Sequence, residues 1–513
     1  MSRVLLFLII LFCSGMMYAQ QVDKAKQPNI LVIFSDDHAY QAIGAYGNKL
    51  NLTPNIDRIA KEGAVFKNTF VTNSLCAPSR ATLLTGKYSH INGLKINNIK
   101  NPFDINQQLV SRILQNSNYQ TAWIGKWHLQ TLPGNAFNYW MVPPDQGNYY
   151  NPDFIDMQND TVRLTGYITE VISNLAFDWL NKRDTNKPFF LVIGEKATHR
   201  EWLPDIQDLG AYDTINFSLP KTFYDNYTGR IAAADQDMTV AKTMRLKEDL
   251  KVHADYENDG TYNRFTPEQK KAFSDYYEGK ISKDFDDHHY TGDALLQWKY
   301  QRYMKDYLAV ARSLDRNIGK VLDYLDKNGL TENTVVIYAS DQGFYLGEHG
   351  WFDKRFMYEE SLRTPFVMRY PGVVKPGSIV NDLVVNIDFA PTLLDIAGIN
   401  PPPDMQGKSF IPILKNKEYK WRNAVYYHYY EFPEPHHVSP HFGIRTTRFK
   451  LIRFYGPADF WELYDLQKDS GEIENLYGKK QYATIVKDLK KQLNDLIEMY
   501  ADKEAKEILN KEF

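Results

Sequence analysis

Two short acidic motifs in this 513-residue chain carry the residue types of a hard-cation site. Asp36-Asp37 directly follow the apolar run Asn29–Ser35, and Asp341-Gln342 follow Thr334–Ala339 in the same way. Both runs read as buried strands of parallel type, and open α/β sheets hold their ligands beyond the carboxyl ends of the strands. Three carboxylates and an amide oxygen converging from two strands would repel one another unless a cation sat between them. The set is all oxygen, without Cys or His, which suits Ca2+ or Mg2+ better than zinc. Loop solvation or helix capping would explain one such pair; its repetition after a second strand strengthens the metal reading.

The second reactive feature is a thiol. Cys76 sits in Leu75-Cys76-Ala77-Pro78-Ser79-Arg80, just before a short helical stretch at Ala81–Thr85. A helix N-terminus there would stabilise negative charge beside it. The other cysteine, Cys13, lies in an N-terminal leader: Arg3, the apolar run Val4–Phe12, then Ser14, Gly15 and Ala19. That run is too short to span a bilayer, so residues 1–20 are expected to be a cleaved signal peptide. No other stretch is apolar enough to span. Cys76 is then the lone thiol of an exported chain, unable to form an internal disulfide, and the alternative to a function is an inert buried cysteine.

Strands alternating with helices must position these groups. Further strands are expected at Thr121–Ile124, Phe189–Ile193 and Phe366–Arg369. Helices are expected at Pro54–Glu62, capped by Thr53, and at Ile105–Gln115, Ile168–Leu180 and Trp298–Lys327. The alternation argues an α/β fold with a largely parallel sheet. Residues 203–297 are polar and poor in strand signals, and read as a helical or irregular insert in a catalytic unit spanning 28–400. The cluster Pro401–Pro403 marks the boundary of a C-terminal α+β unit, 401–513, with strands at Ala424–Tyr430, Phe442–Arg445 and Lys450–Phe454 and a terminal helix from Ala483 to Lys503. Lys plus Arg total 60 against 63 Asp plus Glu, which argues against a nucleic-acid tracker. Aromatics are 14% with 35 Tyr, a level that suits sugar handling.

The run around Cys76 resembles the signature of the type I sulfatase family, Cys-x-Pro-Ser-Arg followed by a Thr-Gly pair, here Thr85-Gly86. Ser35-Asp36-Asp37-His38 and Asp341-Gln342-Gly343 match that family's two metal motifs, and Gly125-Lys126-Trp127-His128 its Gly-Lys-x-His motif. Lys354 matches the family's catalytic lysine, and His199 the histidine after the Phe189–Ile193 strand. Many members carry Asn or His at the place of Gln342. The resemblance implies an alkaline-phosphatase-like fold: a large mixed, mostly parallel sheet flanked by helices, plus a smaller C-terminal α+β unit with a short antiparallel sheet. It also implies that a maturation enzyme oxidises Cys76 to formylglycine, and that one Ca2+ is held by Asp36, Asp37, Asp341, Gln342 and the modified residue 76. Arg80 and Lys126 would hold the hydrated aldehyde, Lys126 and Lys354 would grip sulfate oxygens, His199 or Lys354 would protonate the leaving oxygen, and His128 would act as base.

The segments Lys196–Trp202 and Leu346–Arg355 are similar to the N-acetylglucosamine-6-sulfatase branch, although Thr198 replaces the branch's usual proline. This implies exo-hydrolysis of 6-O-sulfate from terminal N-acetylglucosamine in heparan-type, keratan or mucin glycans. Asp353 is expected to accept a sugar hydroxyl, and His441, in a Tyr/His-rich stretch, to add a second contact. The alternatives are a sulfatase for another sugar, a formylglycine phosphonate or phosphate ester hydrolase, and a non-catalytic glycan-binding protein. A sulfated glycan is the expected partner, with no nucleic acid and no membrane span, and the expected compartment is the periplasm, or else the exterior.

Overall fold

The apolar run Asn29–Ser35 forms strand β1 near the centre of an eight-stranded sheet. The computed structural model describes residues 27–97, 102–415 and 418–511; the expected signal peptide over residues 1–20 lies outside them. The other strands of the sheet are β2 (Ala64–Phe66), β3 (Gln120–Gly125), β4 (Tyr139–Met141), β5 (Phe189–Gly194), β6 (Thr334–Ser340), β7 (Phe366–Arg369) and β8 (Ser378–Val380). Their order is β8-β2-β7-β6-β1-β5-β3-β4. Only β7 runs antiparallel to its neighbours β6 and β2. The sheet is thus mixed and mostly parallel, as expected.

Register explains why the acidic motifs meet. Ser35, the last residue of β1, pairs with Ser340, the last residue of β6. Asp36 and Asp341 therefore leave the sheet at the same level. On the other side of β1, Phe34 pairs with Gly194 of β5, which pairs in turn with Gly125 of β3. Gly125 has φ +96°, and a Cβ there would lie 2.1 Å from the Gly194 carbonyl oxygen. Only glycine lets β3 turn toward Lys126 against that backbone.

Both faces of β1 are buried. Leu31 and Ile33 pack with helices α1 (Pro54–Glu62), α3 (Ile168–Lys182) and α4 (Gly292–Lys327); Ile30, Val32 and Phe34 pack with α2 (Cys76–Thr85). A third core joins this layer to a four-stranded antiparallel sheet, β9 (Ala424–Tyr429), β10 (His441–Thr446), β11 (Phe449–Phe454) and β12 (Phe460–Asp465). Helices α5 (Ala483–Met499) and α6 (Lys503–Asn510) cover that sheet.

The structure moves several expected element ends. The helix expected to start at Ile105 starts at Val110, and α4 begins at Gly292, six residues before Trp298. The single terminal helix expected over Ala483–Lys503 is two. Ala501 adopts φ 57°, and Asp502 caps α6 by accepting from the Ala505 N–H at 3.1 Å. Asp502 also accepts from Tyr426 (2.9 Å) and meets His428 (2.7 Å), so the break is anchored to β9. Segment 203–297 is mostly turns with short helices such as Pro267–Tyr276, and it packs Phe265, Phe273 and Tyr277 against the α4 side of the main sheet.

Candidate active site

Helix α2 begins at Cys76 itself, earlier than the expected Ala81, and all ten of its residues are buried. Pro78 lies in the first turn, where a missing N–H costs nothing. Gly86 closes the helix at φ 65°. The Ala77 N–H donates to Asn97 Oδ1 at 3.0 Å, and Cys76 Sγ lies 3.3 Å from Asp36 Oδ1. Burial pushes the Cys76 thiol up to about 12, so the unmodified side chain is a protonated thiol and a poor nucleophile at neutral pH.

Asp36, Asp37 and Asp341 are essentially inaccessible, and each offers an oxygen within 4.8 Å of the others. Each also faces its own cation. Lys126 pairs with Asp36, Lys354 donates to Asp37 at 2.7 Å, and Arg80 donates to Asp341 Oδ2 from Nε (3.2 Å) and Nη2 (3.0 Å). Burial pushes Asp37 up to about 6, with Asp341 and Asp353 adding repulsion that Lys354 only partly offsets. Gln342 donates from Nε2 to Asp37 (2.6 Å), while its buried Oε1 has no partner. Crowded carboxylates and an orphaned amide oxygen fit a hard divalent cation.

Two more expected residues, His128 and His199, converge here beside Lys126. Lys126 also reaches Gln146 Oε1. His128 Nε2 lies 2.8 Å from Gln146 Nε2 and 3.3 Å from Asp145. His199 offers a ring nitrogen close to both Asp36 and Cys76, and its Nδ1 lies 2.6 Å from the Arg200 carbonyl. Burial, with Lys126, Lys354 and Lys196 nearby, holds His199 well below the usual imidazole range.

These groups open into a cavity of about 950 Å³ between the main sheet and the loop Glu431–His437. Asp353 lies on its wall and donates nothing; it accepts from Arg355 Nε at 3.0 Å. Burial opposes its charge, but Arg355, Lys354 and His436 hold its carboxyl well below the usual range. Arg200 is fixed by a two-pronged bond to Asp249 (2.8 and 2.6 Å), contributed by the 203–297 segment.

His441 does not reach this cavity, contrary to expectation. It is fully buried among Phe356, Tyr427, Tyr429 and Phe454, with Nε2 accepting from Met357 N–H (3.1 Å) and Nδ1 donating to the Ser439 carbonyl (2.9 Å). It is the first residue of β10, a strand buried on both faces. His436, from the same Tyr/His stretch, lines the cavity instead. Sequence reasoning also passed over Gln146, Asp145 and Glu431, which stand in loops without periodicity or a recognisable motif. Glu431 accepts from the Asn97 N–H (2.9 Å) and from Arg355 (2.5 Å).

The site therefore combines a residue at a helix N-terminus, an oxygen cage for one cation, several donors suited to anionic oxygens, and histidines for proton transfer. Comparison with known proteins agrees. The profile of the family described as Sulfatase matches residues 28–399, and that described as N-sulphoglucosamine sulphohydrolase, C-terminal, matches residues 347–499. The chain is 44% identical over 502 residues to an N-acetylglucosamine-6-O-sulfatase of Bacteroides thetaiotaomicron, covering 95% of this chain and 89% of the relative. A solved structure in complex with its substrate, D-glucosamine-2-N,6-O-disulfate, superposes with TM-score 0.90 at 43% identity, over 93% of this chain and 99% of that one. A phosphonate monoester hydrolase of Agrobacterium radiobacter shares the fold, with TM-score 0.67 at 19% identity over 93% of this chain and 96% of that one.

Proposed function

The chain belongs to the sulfatase family and is a sulfuric ester hydrolase, and we propose that its substrate is a terminal N-acetylglucosamine 6-O-sulfate in heparan-type, keratan or mucin glycans. The observation that carries this reading is the convergence of Cys76, Asp36, Asp37, Asp341 and Gln342, of which Asp37 reaches a cavity that His128, His199 and Lys354 also line, in a chain so similar to a 6-O-sulfatase. A cavity closed on one side by the loop Glu431–His437 suits one terminal sugar better than a continuous polymer.

Oxidised to formylglycine by a maturation enzyme, residue 76 would supply a geminal-diol nucleophile, and one Ca2+ held by Asp36, Asp37, Asp341 and Gln342 would supply the charge that activates it. Lys126 and Lys354 bring ammonium donors to the position of the sulfate oxygens, where developing charge is neutralised in a dry site. Arg80 keeps Asp341 oriented. His199 or Lys354 gives the proton to the leaving sugar oxygen; the negative charge of a bound ester opposes the burial that keeps His199 neutral. Asp353 and His436, in place of His441, are positioned to bond sugar hydroxyls.

We further assign residues 1–20 to a cleaved signal, 28–400 to the catalytic unit and 401–513 to the unit that closes the cavity, with export to the periplasm. No helix among the described residues is long and apolar enough to cross a membrane. The test is turnover of a panel of defined monosulfated sugars. Faster cleavage of 2-O- or 3-O-sulfates would overturn the substrate, and preference for aryl phosphate over aryl sulfate would overturn the reaction.

A further inference from the structure

Gln146 spans two functional side chains. Its Oε1 accepts from the Lys126 ammonium, and its Nε2 lies 2.8 Å from His128 Nε2. Burial lowers the Lys126 pKa well below the usual lysine value, but its ion pair with Asp36 holds the ammonium form, and the amide then has one workable orientation, because an ammonium has hydrogens to give and no lone pair to offer. The amide oxygen must face Lys126, so the amide N–H must face the ring. A ring nitrogen that receives an N–H must present its lone pair, which leaves the proton of the neutral imidazole on Nδ1. His128 Nδ1 is buried and has no partner in the protein.

The charged neighbours of the ring are Lys126, Arg80 and Asp145. Burial and Lys126 press it toward neutrality, with its pKa lowered to about 4. Asp145 alone would draw the proton to Nε2, but its contact is long at 3.3 Å and its side chain is 72% exposed. The Gln146 contact is shorter and its amide is polarised by the ammonium behind it. His128 and Asp145 both sit at positive φ, 55° and 47°, so the surrounding structure holds both residues in a costly backbone conformation.

We propose that Gln146 is a positioning residue that fixes the tautomer of His128, so that His128 offers a bound group an Nδ1–H donor. Base action by His128 then requires the tautomer to invert, with Asp145 taking the Nε2–H, and Gln146 sets the cost of that inversion. The assignment of a catalytic purpose rests on the sulfatase reading; the tautomer itself does not.

Nitrogen-15 ring spectra of the unmodified Cys76 protein test this without turnover. Wild type should show a protonated Nδ1 and a lone-pair Nε2. Gln146→Glu, whose carboxylate can only accept, should move the proton to Nε2, whereas Asp145→Asn should leave the wild-type pattern. A wild-type proton on Nε2, or an unchanged pattern in a folded Gln146→Glu protein, overturns the proposal. The wild-type spectrum is decisive even if a variant fails to fold. Because the spectra need no substrate, failure of the sulfatase reading leaves them interpretable.

Discussion

His436 Nε2 lies 3.4 Å from Asp353 Oδ2, although the two residues come from opposite walls of the cavity. Asp353 follows β6 in the main layer, and His436 stands on the loop between β9 and β10. The Asp237 carbonyl, 2.9 Å from His436 Nδ1, orients the ring, and Asp353 and this hydrogen bond raise the His436 pKa against its burial. The cavity wall is therefore completed only when the C-terminal sheet docks.

This contact yields a specificity prediction. Asp353→Ala and His436→Ala should each lower kcat/KM on 6-sulfated N-acetylglucosamine by about 10–100-fold, since a site built to bond hydroxyls discriminates strongly once its partners are lost. Turnover of a small aryl sulfate should fall far less. His441→Asn should lower thermal stability and leave the ratio of the two activities unchanged. Equal losses on both substrates for Asp353→Ala would assign Asp353 to holding Arg355.

Cys76 should be found as an aldehyde by mass spectrometry of its peptide after expression with a maturation system. Cys76→Ser should lose several orders of magnitude in kcat, because serine has one hydroxyl where a hydrated aldehyde has two. A fully active serine variant would end the formylglycine mechanism.

Chelation should abolish activity and lower the melting temperature, with Ca2+ restoring both. Asp341→Ala should do more than remove a ligand. It strands the Arg80 guanidinium, which is fully buried, at a cost of about 3–5 kcal/mol. Calorimetry of Asp341→Ala against Asp341→Asn separates the two losses, since asparagine keeps an acceptor for Arg80.

A pH effect on stability is expected far from the cavity. Burial pushes Glu462 up to about 7, while the hydroxyls of Tyr358 and Tyr464 donate to it at 2.9 and 2.7 Å. The folded chain therefore keeps this proton in a range where the unfolded chain, with an ordinary value near 4.5, has lost it. Stability is fully present below about 4.5 and falls as pH rises through about 7, by at most about 3 kcal/mol. Denaturant melts at pH ~5 and ~8 should show a smaller drop for Glu462→Gln than for wild type. An equal drop in both would exclude Glu462 as the source.

The chemistry was more legible in the sequence than its surroundings. Asp36, Asp37 and Asp341 stand directly after unbroken apolar strands, and strand ends in register place them together. The Cys76 run could be recognised because a reactive residue and its helix occupy one short segment. Gln146 and Glu431 could not, since each owes its place to partners far along the chain, and loops lack the periodicity that reveals strands and helices. His441 and His436 are only five residues apart in one His-rich stretch. Composition could not tell which faced inward; His441 is paired between β9 and β11, whereas His436 stands on the loop before β10.

Burial of the signature thiol also sets an order of events. Cys76 is 1% exposed at the head of a helix with no free face, and the chain around it is internal as well. An enzyme that oxidised Cys76 would have to grip that stretch of backbone, and in the finished fold the stretch is buried. On the proposed mechanism, oxidation of Cys76 would therefore belong to the interval between synthesis and closure of the α2 layer. A molecule that closed first would be locked out of maturation, and the proportion of competent enzyme would then be set by a race in the nascent chain and not by later repair.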